Sequence, residues 1–255
     1  VLFFDSHSHL NADEFEDDLD AVWERAREAG VERTLVAGYD LESSRRAVEL
    51  SGRYPGVYAA VGIHPHDADQ ADTGAMREVA GLAGEVGVVA IGETGLDFNR
   101  GRDTQPAQEA AFRAHLELAE AAGLPVLIHV RDAFAEVRAC LEDYGGAGVL
   151  HCYTGDEVQL GEFLPLGLYI SFAGVITYRS GIAVGETAKI VPEDRLLIET
   201  DSPYLAPQSR RGKRNEPVNL VETADKMAEL RGLGLADLAA ITSRNACRLF
   251  GIDGG

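Results

Sequence analysis

Short apolar runs alternate with longer amphipathic stretches along the whole chain. The runs cover residues 2–4, 34–36, 57–61, 88–91, 126–128, 149–150, 168–170 and 196–198, each short enough for a buried strand. The stretches between them read as helices. After Thr104, Pro106 suits a first helical turn, and Phe112, His115, Leu116 and Ala119 recur at i, i+3, i+4 and i+7. Gly30, Gly123 and Gly167 stand where helix stops are expected. Eight strand-like runs separated by helices predict a parallel sheet, and closure at eight strands gives an α/β fold of the (β/α)8 TIM-barrel type. An open doubly wound sheet is the alternative. A further helix, residues 235–250, is expected to cap the outside. No Pro/Ser-rich linker, low-complexity tract or repeat interrupts the pattern, so residues 1–255 read as a single domain.

Residues that bind metal gather at the ends of these runs. Asp5, His7 and His9 follow the first, His64 and His66 the third, and Glu93 the fourth. The fifth ends in His129, the sixth in His151, and the eighth in Glu199 and Asp201. In a parallel barrel all of these positions lie at the C-terminal rim, where active sites of the fold are built. His7 and His9 are two apart on a strand, so both imidazoles point the same way. A lone strand-end histidine is more often a satisfied core residue. An HxH pair joined by two later histidines and two carboxylates favours a metal site. The donor set suits Zn²⁺ and equally Mn²⁺, Mg²⁺ or Co²⁺. Six ligands exceed one tetrahedral ion but suffice for two divalent metal cations that share a bridging carboxylate.

Other candidates carry less. Cys152 is expected to point away from the site as a buried thiol, and His115 to pack on the apolar face of its helix. Either His64 or His66 could reach substrate or order its loop. The one dense basic run, residues 209–217, follows the strand that delivers Asp201. It is expected over the pocket mouth, where its arginines would match phosphate oxygens. No P-loop, GxSxG, HExxH or GxGxxG stretch is present.

Composition changes this picture in two ways. The net charge of −19 argues against broad attraction to nucleic acid, so a polyanionic substrate must be held locally. Three cysteines without CxxC spacing, no apolar run of membrane-spanning length, and a start that does not read as a signal peptide fit a cytoplasmic protein. No obligate protein partner is evident.

The motifs, in order, are Asp5-Ser6-His7-Ser8-His9-Leu10, Gly62-Ile63-His64-Pro65, Ile91-Gly92-Glu93-Thr94-Gly95-Leu96-Asp97 and the stretch from Pro125 to Ala133. His151-Cys152-Tyr153-Thr154-Gly155, Glu199-Thr200-Asp201-Ser202-Pro203-Tyr204-Leu205 and Arg211-Gly212-Lys213-Arg214-Asn215-Glu216-Pro217 complete the set. From Phe4 to Phe250 the chain resembles the TatD family of metal-dependent deoxyribonucleases, within the amidohydrolase-like barrels. The resemblance implies that His7, His9 and Asp201 bind one cation, that His129 and His151 bind the other, and that Glu93 bridges. The reading that follows is a hydrolase that trims single-stranded DNA or RNA ends from 3′ to 5′; Asp201, a ligand near the attacking water, is taken as general base, with Glu93 beside it as the second catalytic candidate. His64, Arg131, Tyr153, Arg211 and Lys213 are the expected substrate contacts. Tyr153 stands where the family commonly has phenylalanine, and Phe98-Asn99 replaces a more aromatic pair. Alternatives are a D-aminoacyl-tRNA deacylase, a cyclic-amide or lactone hydrolase, and a non-catalytic metal-dependent binding module.

Overall fold

A computed structural model of the protein describes residues 1–253. The single domain expected over 1–255 thus ends with two residues outside the described ones. In chain order the elements are β1 (Phe3–Ser8), α1 (Leu19–Glu28), β2 (Val31–Ala37), α2 (Leu41–Arg53), β3 (Val57–Val61), α3 (Thr73–Leu82), β4 (Val88–Asp97), α4 (Gln105–Ala122) and β5 (Val126–Arg131). They continue with α5 (Phe134–Cys140), β6 (Gly148–Leu150), α6 (Glu157–Phe163), β7 (Tyr169–Phe172), α7 (Ile182–Ile190), β8 (Leu196–Ile198), α8 (Leu220–Arg231) and α9 (Leu235–Phe250). The strands follow one another in sequence order from β1 to β8, and a parallel bridge joins Ser8 beyond the sheet order to Ser202 just past β8. An open doubly wound sheet reverses its strand order at a switch point. Unbroken sequence order with the first and last strands meeting is the (β/α)8 class.

Two compact units share the chain. One holds Val1–Leu35, Cys152–Gly161 and the chain from Tyr169 onward. Here the strand ends are tied by backbone and hydroxyl bonds: Asp201 N–H donates to the His7 carbonyl at 3.0 Å, and His9 N–H to that of Ser202 at 2.7 Å. Buried Ser6 donates to the Ile198 carbonyl at 3.0 Å, with its Oγ 2.8 Å from that of Ser171. Helix α9 covers this end as expected, seating Phe250 5.8 Å from the Phe4 ring. Its Asn245 donates to the carbonyls of Glu193 (2.6 Å) and Leu196 (2.9 Å), which fixes the start of β8.

The other unit holds Val36–His151 and Glu162–Leu168. Helix α2 starts at a capping box in which Asp40 accepts from Ser43 N–H at 2.7 Å, and α4 ends on left-handed Gly123 (φ +66°). Strand β4 extends well beyond the apolar run at 88–91: its register with β5 shifts between Ile91 and Thr94 and resumes at Thr94-Gly95, which lack the apolar signature of a strand. Its partners on β5 are Ile128 for Thr94, His129 for Gly95 and Arg131 for Asp97. A Cβ at Gly95 (φ +142°) would meet the His129 carbonyl oxygen at 2.0 Å, and one at Gly62 would meet Gly92 Cα at 2.6 Å. These two glycines let the donor-bearing strands approach as closely as they do. Gly167 (φ +76°) ends the 3₁₀ turn that continues α6, so the helical stretch stops there as expected. No helix among the described residues is long and apolar enough to cross a membrane.

Candidate metal centre

In the first unit, His7 sits on β1 and His9 just past it, both buried. Strand alternation points their rings the same way, and their Nε2 atoms lie 3.0 Å apart. Asp201 Oδ1 stands 3.4 Å from each. Ligand atoms at about 2.1 Å from a tetrahedral cation lie roughly 3.4 Å from one another, so the three donors are spaced as a cation would space them. Asp201 reaches this position in a left-handed conformation (φ +56°), held by its N–H on the His7 carbonyl. Asp5 fastens the same two segments. Its carboxylate accepts from Thr200 N–H at 2.8 Å and from Thr200 Oγ1 at 2.6 Å. Burial, reinforced by the charge of Glu199, pushes the Asp5 carboxyl up to about 8.

Glu93 is the centre of the second group. Its Oε1 lies 2.9 Å from His129 Nδ1, 2.9 Å from His151 Nε2 and 3.5 Å from His64 Nε2. Register brings the histidines together: Ile128 pairs with Leu150, so the next residues on β5 and past β6 are His129 and His151, whose ring nitrogens lie 3.1 Å apart. The other nitrogen of His129, Nε2, is 3.1 Å from Asp97 Oδ2. A histidine that turns one nitrogen to a donor cluster and the other to a carboxylate is oriented as metal-bound imidazoles are. Burial lowers the His129 pKa, but Asp97 and Glu93 outweigh it and hold the imidazole above its ordinary value. Burial likewise opposes ionisation of Asp97, yet His129 and the Asn99 N–H keep its carboxyl well below the usual range. His66 Nε2 shares the same Asp97 oxygen at 3.1 Å. Gln108 clamps the Asp97 backbone, accepting from its N–H at 2.8 Å and donating to its carbonyl at 3.0 Å.

His64, an expected substrate contact, stands with Glu93 and His129 as a group of three side chains that could hold a cation. Burial drives its pKa down to about 3, which keeps a lone pair available. His115 is a satisfied structural histidine, as its helical position suggested. Its Nδ1–H donates to the Ala111 carbonyl at 2.7 Å and its Nε2 accepts from Ile63 N–H at 3.0 Å, next to His64. Burial lowers it to about 4.

The remaining expected contacts divide. Arg131 is exposed at the end of β5, and Arg211 and Lys213 are exposed beyond β8. The Arg211 guanidinium lies 4.5 Å over the Tyr178 ring. Tyr153 is only 1% exposed, and its hydroxyl donates to the Asp156 carbonyl at 3.2 Å. The structure therefore places it in the packing, against Phe172, and not at a surface where it would meet phosphate. Arg214 is taken up by Asp18, at 2.8 and 2.7 Å, and by Glu216 at 2.9 Å. Cys152 is half-buried and left-handed (φ +44°), because β6 ends at Leu150 and regular alternation does not reach it. Sequence reasoning missed Asp97 and Asp5 as positioning groups. The available signal was parity, since Asp97 is four residues past Glu93 on one strand and Asp5 two before His7.

Comparison with known proteins agrees with this geometry. The chain is 40% identical over 255 residues to an uncharacterized metal-dependent hydrolase, YabD, of Bacillus subtilis, covering 99% of this chain and all of that one. It is 41% identical to the 3′-5′ ssDNA/RNA exonuclease TatD of Cronobacter sakazakii, covering 97% of each. The crystal structure of the TatD homologue YJJV from Escherichia coli superposes with a TM-score of 0.93 at 28% identity, covering 98% of both chains. The model of the TatD-related DNase family matches residues 4–251, and the chain belongs to that family.

Proposed function

We propose that this chain, acting over 1–255 as one domain in the cytoplasm, is a 3′ to 5′ exonuclease on single-stranded DNA or RNA that uses two divalent cations, Mg²⁺, Mn²⁺ or Zn²⁺. The observation that carries the reading is the donor geometry: His7, His9 and Asp201 converge in one group, and His64, Glu93 and His129 in another. A relative with that printed activity, 41% identical along almost the whole chain, supports the choice of substrate. His7, His9 and Asp201 would hold one ion and His129 and His151 the other, with Glu93 bridging and His64 beside it. When bound, such cations activate water and neutralise the scissile phosphate.

The chain's own groups do the rest. Water attacks phosphorus, Asp201 takes its proton, and the P–O3′ bond breaks. The proton then passes to the departing O3′, releasing a nucleoside 5′-monophosphate and a strand one residue shorter. Asp97 keeps the His129 ring in place while this happens. Arg131, Arg211 and Lys213 are exposed cations suited to phosphate oxygens. With a net charge of −19, such local contacts have to replace long-range attraction.

The test compares linear and circular single-stranded DNA of one sequence, with each metal in turn. Linear strands should shorten stepwise to 5′-mononucleotides while circles persist. Rapid cutting of circles would overturn the exonuclease reading, and mononucleotides released from the 5′ end would overturn its polarity.

A further inference from the structure

Tyr204 differs from everything around it. Asp201 is 9% exposed, Ser202 0% and Ala206 6%, yet Tyr204 between them is 52% exposed. Its ring stands edge-on to His9, with centroids 5.8 Å apart and planes at 67°. The segment that carries it is pinned. Tyr204 N–H donates to the Asp201 carbonyl at 2.8 Å, and buried Asn215 donates from one amide to the carbonyls of Tyr204 (2.7 Å) and Thr200 (2.9 Å). A large aromatic surface is thus presented to solvent from a rigid turn, in contact with a donor histidine. Burial would be the default for such a ring, and rigidity lowers the entropic cost of using it. The same segment continues to Arg211, whose guanidinium lies over Tyr178, while the Tyr178 hydroxyl donates to the Ala206 carbonyl at 2.8 Å. Residues 204–211 therefore offer an aromatic face and a cation together, as single-stranded nucleic acid requires.

We propose that the exposed ring of Tyr204, edge-on to His9 and three residues past Asp201, is the platform on which the nucleobase of the terminal nucleotide stacks. Tyr204 is a specificity-determining residue that recognises a base as a π-face, without reading its identity. The assignment rests on the exonuclease reading above. Stacking tolerates all four bases, which is what an enzyme trimming arbitrary ends needs.

The experiment uses full-length protein with Mn²⁺ and two oligonucleotides, one ending in a normal nucleotide and one in an abasic residue. The wild type should cut the base-bearing end about 5- to 100-fold more efficiently, the worth of one base–aromatic stack. Tyr204→Phe should keep that preference, and Tyr204→Ala should bring it close to one. A terminal 2-aminopurine on an uncleavable phosphorothioate end should be quenched by the wild type and by Tyr204→Phe, and not by Tyr204→Ala. If Tyr204→Ala keeps the full preference, or loses cutting of both ends equally with metal content reduced, the ring supports His9 and the stacking role is overturned. If the wild type cuts circles as fast as linear strands while the base preference follows Tyr204, the exonuclease reading fails and stacking stands. A wild type that neither binds nor cuts oligonucleotides overturns both.

Discussion

The two donor groups are built from the same kinds of side chain, imidazole and carboxylate, by different means. The group of His7, His9 and Asp201 is simpler: two imidazoles share one strand face, and backbone bonds from Asp201 to His7 and from His9 to Ser202 bring in the carboxylate. The Glu93 group is an assembly. Its members come from separate strands and the segments just past them, and register, two close-packed glycines and a carboxylate behind His129 decide where each atom lies. The simpler group needs few supports beyond Asp5. The assembled one depends on residues outside the donor set, Asp97 behind His129 and Gln108 on the Asp97 backbone among them. A centre gathered from many strands carries more of its specification in its surroundings.

The largest effect should come from separating the two groups chemically. In the proposed binuclear centre, Asp201→Asn should cost about 10²- to 10⁴-fold in rate at saturating metal, the range for losing a general base. It should leave the ion at the Glu93 group in place. Glu93→Ala should instead lower occupancy of both positions, read by elemental analysis per chain. Retention of both ions in that mutant would remove Glu93 as the bridge.

Within the assembled unit, two histidines move in opposite directions. His129, between two carboxylates, is raised, whereas His115, bonded only to backbone, is lowered to about 4. The unfolded chain takes up a proton at His115 near 6.5, while the folded chain resists until about 4. Stability from this group is therefore full above pH 6.5 and falls as the pH drops toward 4, by up to about 3 kcal/mol. His115→Gln, which keeps an acceptor for Ile63, should flatten that acid limb by this amount in urea unfolding. An unchanged limb would show that His115 is not protonated on unfolding.

The smallest expected effect sharpens the contrast most. Asp97→Asn should weaken metal binding at the Glu93 group by about 10- to 100-fold, the usual worth of a carboxylate behind a ligating histidine. The His7 group should keep its affinity in a competitive chelator titration. Equal weakening of both would mean that Asp97 holds the strand and not the ring.

Much of this was legible along the chain. Alternating runs predicted the (β/α)8 class, helix 235–250 appears with those bounds, and the clustered His, Glu and Asp side chains are ones that follow the apolar runs. Hydrophobic periodicity could not reveal how far β4 runs, because the register shifts past Ile91 and pairing resumes at Thr94 and Gly95 through backbone atoms that carry no side-chain signal. Chemistry alone also could not tell that Tyr153, expected at the substrate, lies in the packing, or that Arg214 of the basic run is held by carboxylates. Each has the chemistry of a phosphate contact, but Asp156 takes up one and Asp18 with Glu216 the other.

The sequence by itself determined which residue types stand at the strand ends, since alternation and run length are local properties of the chain. Only the tertiary structure decided which nitrogen of His129 faces Glu93, that Asp97 lies behind it, that His64 joins the donors, and that Tyr204 alone in its turn stays in solvent. Those outcomes depend on register and close approach between distant segments, and neither is encoded in the spacing of any single stretch.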